Sequence, residues 1–184
     1  LELGDLRYLL PNLSDRMSYV LGLAYRNAQR KSRSDYGDET RWNVASLVSE
    51  LEAIAEADDN DYGASASALV WRLNSTIQTG VDRVFDDNQQ TPIIEIMRPG
   101  QCTVMQLNQV DPREQQVIVA MLMRRLYYAR LRTERGDATE SENSDYYLPY
   151  PVFALIEEAH NFAPANANVI STGVLKQVLS EGRK

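Results

Sequence analysis

The chain has 184 residues, 43% of them hydrophobic and 24% charged, a balance that fits one globular domain or two small ones. Its net charge of −7 argues against a surface coated for nucleic-acid binding, although a local basic channel is compatible with it. No apolar run approaches the roughly 20 residues that span a bilayer. The start at Glu2, Asp5 and Arg7 lacks a basic-then-apolar leader pattern, and one cysteine, Cys102, cannot form an internal disulfide and fits a cytoplasmic protein.

The first half is expected to be helical. Residues 1–10 can form a short helix before Pro11. Leu13, Met17, Val20, Leu21, Ala24 and Ala28 recur every three or four residues, with Ser14 placed as an N-cap. The polar stretch 31–39 reads as a loop. Trp42 to Ala57 repeats the helical pattern through Val44, Leu47, Val48, Leu51, Ile54 and Ala55, and Asp58 to Gly63 breaks it. A third helix is expected from Ala64 to Thr79, stopped by Gly80. Short polar connections between such helices predict a small antiparallel bundle, with Trp42 and Trp71 anchoring its core.

The texture changes after Gln90. Pro92 to Met97 and Cys102 to Leu107 are β-prone runs around Arg98-Pro99-Gly100, which predicts a hairpin with Cys102 buried in it. Asp111-Pro112-Arg113-Glu114 is a helix start with an acidic cap, proline at the first position and glutamate at the third. That helix is expected to reach about Arg132. Arg124, Arg125, Arg130, Arg132 and Arg135 form a charged band that reads better as a solvated, acid-paired face than as a DNA contact. Residues 136–147 are polar and acidic, a solvated loop. Val152 to Ile156 is a short apolar run of the kind that forms a buried parallel strand, and a last helix is expected over Ser171 to Glu181.

Glu157 and Glu158 follow that apolar run directly. Open α/β sheets bind their ligands at the carboxyl ends of strands, and adjacent strand residues face opposite ways. In phosphoryl transfer one such acid helps hold the hydration shell of magnesium, and the next orients or deprotonates the attacking water. A loop that merely begins with two glutamates is the plainer explanation. The longer string through Ala159, His160, Asn161, Phe162 and Pro164 favours the chemical one. His160 is the only histidine, so it has no partners for a zinc site, and its place suits a polar network or a sensor of nucleotide state beside the acids. Arg183 and Lys184 read, on their own, as cations favouring a helix C-terminus, with an arginine reaching a neighbour's phosphate as the alternative.

Residues 153–164 (FALIEEAHNFAP) followed by 174–184 (VLKQVLSEGRK) resemble the HerA family of hexameric DNA-translocating ATPases, specifically over 92–184 and more loosely over the helical part. The resemblance implies an α/β fold: part of a RecA-like P-loop ATPase core, a three-layer sandwich, with an inserted or preceding all-α helical bundle. Residues 1–90 would be the bundle and 91–184 the C-terminal part of the core. It implies that Glu157 is the Walker B acid near Mg2+, Glu158 the catalytic base, Arg183 an arginine finger acting across a subunit interface, and Lys184 its assistant. ATP and Mg2+ would be the cofactors, and DNA, a homohexamer and a NurA-type nuclease the partners, with no membrane.

Two departures bear on activity. No G-x-x-x-x-G-K-[ST] string occurs, and the glutamine-bearing segment expected after Gly182-Arg183-Lys184 is absent. Both ends read as cut. The expectation is therefore a piece of an ATP-driven double-stranded DNA translocase or helicase of DNA end processing, inactive alone and without a tight ATP site. Fragments of a conjugation or secretion ATPase, or a non-catalytic interaction module, are the alternatives.

Overall fold

A computed structural model describes residues 1–37, 42–57, 61–77, 92–140 and 146–181. Two units divide the chain, Leu1–Gln90 and Thr91–Lys184.

In the first unit α1 (Leu3–Leu9) begins where the Glu2 N–H donates to Asp5 Oδ2 at 2.7 Å. Helix α2 (Asp15–Tyr36) starts at Ser14, whose Oγ accepts from the Met17 N–H at 3.2 Å. It ends at Gly37, which takes a φ of 71° that glycine adopts without a Cβ clash. The expected loop at 31–39 is thus helical as far as Tyr36. Lys31 and Arg33 are good helix formers with solvated heads, Ser32 is buried, and polar composition alone does not break a helix. Helix α3 (Val44–Glu56) opens on a reciprocal cap: Asn43 Oδ1 accepts from the Ser46 N–H at 2.8 Å, and Ser46 Oγ accepts from the Asn43 N–H at 3.0 Å. Helix α4 (Gly63–Ile77) begins at the glycine expected to belong to the break; the stop expected at Thr79 and Gly80 lies outside the described residues.

The apolar faces of α2, α3 and α4 meet around Leu21, Leu47, Leu51, Leu69 and Leu73, with Leu6 and Leu10 closing one side. Each fully buried leucine stabilises by about 1.5–3 kcal/mol relative to exposure. Trp42 joins this core, edge-on to Tyr25 at 5.0 Å. Trp71 does not: it is 72% exposed. The inward face of α4 is Ala66, Leu69 and Leu73, and Trp71 stands two residues from each leucine, on the other side.

The second unit departs further from expectation. Residues 93–96 form not a strand but a one-turn helix, α5 (Ile93–Ile96), capped at Pro92. It buries Ile93 against Met123, Leu126, Ala129 and Leu148. The turn at Arg98 to Gly100 is present, with the Gln101 N–H donating to the Arg98 carbonyl at 3.1 Å and Gly100 at a φ of 75°. No hairpin follows, because side chains rather than a second strand reach the freed carbonyl of Ile96: Gln101 Nε2 donates to it at 3.3 Å, and so does Thr103 Oγ1. Cys102, expected buried, is exposed, as are Val104 and Met105.

Helix α6 (Pro112–Arg135) starts as the sequence predicts, with Asp111 Oδ1 accepting from the Arg113 N–H at 2.9 Å, and ends on Gly136 at a φ of 77°. Leu148 is pinned to it by both backbone groups. Its N–H donates to Thr133 Oγ1 at 2.8 Å and its carbonyl accepts from Arg130 Nη1 at 2.9 Å. Arg130 also pairs with Glu134, and the Arg132 guanidinium lies 4.3 Å from the Tyr146 ring centre. Helix α7 (Ile170–Glu181) brings Val174, Leu175 and Val178 onto the same core, and the Tyr127 hydroxyl donates to Glu181.

The expected α/β three-layer core is therefore overturned: among the described residues every regular element is helical and there is no strand or sheet. The apolar run 152–156 forms no regular element and is unpaired. A strand exists only through a neighbour that takes its backbone hydrogen bonds, and no described segment supplies one. Only Val152 of that run packs on the α6–α7 core, while Phe153 is 90% and Leu155 81% exposed.

Candidate acidic site on the turn after Ile156

Glu157 and Glu158 stand on a tight turn rather than at the tip of a sheet. Glu158 adopts a left-handed backbone, φ 49° and ψ 41°, which is uncommon for a residue with a Cβ. Its carbonyl accepts from the Asn161 N–H at 2.9 Å, and residues Ala159–Asn161 form a single 3₁₀ turn. Buried Phe162 follows as the anchor of the turn.

Two helices hold this turn. The Phe162 carbonyl accepts from Ser171 Oγ at 2.7 Å and, more weakly, from Thr172 Oγ1 at 3.5 Å, both at the start of α7 and both buried. Gln116, on the second turn of α6, donates from Nε2 to the Asn161 carbonyl at 2.7 Å. Sequence pattern alone does not mark these three residues as positioning the turn. A hydroxyl pair opening a helix is a weak signal for Ser171 and Thr172, and an isolated glutamine on α6 gives none.

The acids themselves project into solvent. His160 Nδ1 lies 3.3 Å from Glu158 Oε2, and the two side chains are about three-quarters exposed. The structure thus brings together Glu157, Glu158 and His160 on one turn. Arg183 and Lys184 lie outside the described residues.

Among the described residues no three histidine, cysteine, aspartate or glutamate side chains cluster to hold a metal. One or two exposed carboxylates match a magnesium ion that arrives already held by phosphates and water. They do not match a resident metal with an all-protein shell.

Residues 1–126 match the family described as helicase HerA, central domain, and the chain belongs to that family. The match covers the whole first unit and ends within α6, before the acidic turn, whereas the motif resemblance lay over residues 92–184. Among curated proteins, the DNA double-strand break repair helicase HerA of Saccharolobus solfataricus is 33% identical over 98 residues, covering 53% of this chain and 18% of that protein. The protein of the same name from Pyrococcus furiosus is 21% identical over 198 residues, covering 90% of this chain and 35% of its own length. The chain thus spans about a third or less of the relatives it matches. No solved structure matches it. No helix among the described residues is long and apolar enough to cross a membrane.

Proposed function

We propose that this chain is part of an ATP-driven motor that moves double-stranded DNA in end processing or repair, with Glu158 as the general base for ATP hydrolysis. The observation that carries the proposal is the exposed Glu157–Glu158 pair, presented on a turn held by α6 and α7, in a chain of the HerA family. Glu158 accepts the proton of the attacking water, a role worth roughly 10²–10⁴ in rate. His160, within reach of the same carboxylate, fixes its direction between turnovers. Glu157 is the residue that would hold magnesium, which when bound neutralises phosphate charge. Arg183 would reach a nucleotide in the adjacent subunit of a homohexamer and stabilise charge on the transferring phosphoryl group, assisted by Lys184.

The relatives' names support the DNA and repair parts of this reading. A NurA-type nuclease as partner and the cytoplasm as the site of action belong to the same proposal. Residues 1–184 contain no glycine-rich phosphate loop, so the isolated chain is expected to show no saturable ATP site at micromolar concentrations.

The test is Glu158→Gln in the intact protein that carries this chain. DNA-stimulated ATP hydrolysis should fall at least about 100-fold while DNA binding is retained. Hydrolysis within about twofold of the unaltered protein would overturn the assignment of Glu158.

A further inference from the structure

We propose that the outer face of α2, with Arg7 of α1 beside it, is a phosphate-binding surface that docks duplex DNA along its backbone. The centre of the surface is Gly22. Arg26 Nη1 and Arg7 Nη2 both come within 4 Å of the point where a Cβ on Gly22 would stand, at 3.6 and 3.9 Å. Two guanidinium groups from different helices therefore lie over the side-chain-free position of Gly22, with Leu3 Cδ2 beside them at 3.9 Å, and together they bury it. Among the described residues no carboxylate pairs with Arg7, Arg26 or Arg30. Convergent cations without a protein anion are arranged to share one from outside, and a phosphate accepts from two guanidinium forks at once.

The surface extends along the helix in both directions. Arg16, Tyr19, Arg26, Arg30 and Arg33 follow one another at spacings of three, seven, four and three residues, which keeps them on one face. All five are exposed. They span roughly 26 Å at 1.5 Å per residue, long enough to follow several successive phosphates. Tyr19 lies 5.3 Å from Tyr62, over which Arg16 is stacked at 5.6 Å, so the N-terminal end carries an aromatic platform as well as charge. The acids of α2, Asp15 and Asp35, sit only at its two ends, and Lys31 lies off the stripe, 4.0 Å from Glu50. On a chain of net charge −7, this concentration of arginine on one face is a local field of opposite sign.

In the alternative basic region two of the cations are otherwise engaged. Late in α6, Arg130 holds the Leu148 carbonyl and Glu134, and Arg132 lies on Tyr146. A cationic stripe of this length complements the backbone of duplex DNA; that the occupant is a duplex rather than another polyphosphate rests on the chain being part of a DNA motor.

The experiment is fluorescence anisotropy of a short labelled duplex with the 184-residue chain, without nucleotide, across a salt series. With about four phosphate contacts, affinity should fall roughly 100-fold between 50 and 200 mM salt. The double variant Arg7→Glu/Arg26→Glu should weaken binding at least tenfold at low salt and reduce the salt slope by about two. Arg98→Glu/Arg113→Glu makes the same charge change at two exposed positions of the second unit and should stay within about twofold. Arg7→Gln/Arg26→Gln, checked for unchanged helicity by circular dichroism, should show an intermediate loss.

Equal losses in the two reversal variants would overturn the surface, leaving only net charge. So would the absence of binding by the unaltered chain at low salt, or displacement of the duplex by polyglutamate at equal charge concentration. Since no step needs ATP, Glu158→Gln must leave these affinities unchanged, which separates failure of this surface from failure of the motor reading.

Discussion

Leu21, Leu47, Leu51, Leu69 and Leu73 of the first unit are all buried, whereas Phe153 and Leu155 of the second stand almost wholly in solvent. Both sets are apolar residues in strongly patterned segments. The difference is where the partner for each segment comes from. In the first unit every amphipathic helix finds its partner in a helix adjacent to it along the chain, so periodicity alone is enough to bury it. In the second, α6 and α7 form a comparable pair, but the apolar runs at 102–107 and 152–156 would need neighbours that no described residue provides. An apolar pattern specifies a face; a second element has to cover it.

The largest effect expected to sharpen this contrast is Leu47→Ala, which should cost about 2–5 kcal/mol through lost burial and an unfilled cavity. Phe153→Ala should change stability by no more than about 0.5 kcal/mol. Urea midpoints of the two variants read the difference, and equal losses would break the comparison. Next comes Ser171→Ala, which leaves the Phe162 carbonyl with only the 3.5 Å contact to Thr172. It should cost about 1–3 kcal/mol locally and speed amide exchange at Phe162 and Ala163, without moving the first unit.

Asn43→Ala removes one side of the reciprocal cap on α3 and should cost about 1 kcal/mol, seen as a lower urea midpoint for the first unit alone. The smallest effect is alkaline. The hydrogen bond to Glu181 holds the Tyr127 hydroxyl above its usual range, with desolvation and the nearby carboxylate charge adding to the shift. Because that value is raised in the folded chain, the tie contributes fully below the unfolded tyrosine value of about 10 and is lost as pH rises through the folded one. Tyr127→Phe should remove this alkaline component from the stability profile of the second unit and leave its acid limb unchanged.

How much was legible in the sequence follows the same division. Ser14, Asp111 with Pro112, and the recurrence of apolar residues every three or four positions placed the helices, because caps and periodicity act within a few residues. The extension of α2 to Tyr36 was hidden because arginine, lysine and serine read as loop residues by polarity, yet favour or tolerate helix, and the true stop is Gly37. Trp71 is a large apolar side chain, but its position on α4 lies opposite Ala66, Leu69 and Leu73 and keeps it out of the core. The segments at 92–97 and 102–107 read as strands from β-prone content, and 152–156 from its continuous apolar run. Strand formation is settled by pairing, which no local pattern contains.

At the candidate site, Glu157, Glu158 and His160 were legible as a string. The left-handed backbone at Glu158 and the hold exerted by Gln116, Ser171 and Thr172 were not, since they depend on contacts across 45 and 9 to 10 residues.

Hydrogen–deuterium exchange across residues 150–163 tests most directly whether the acidic pair sits on a helix-pinned turn. The amides of Asn161, Phe162 and Ala163, each bonded within the turn, should exchange slowly, while those of Phe153 to Ile156 exchange at nearly the free-chain rate. Strong protection running from Val152 to Ile156 would mean a paired strand leading into Glu157, and would contradict the turn-based site.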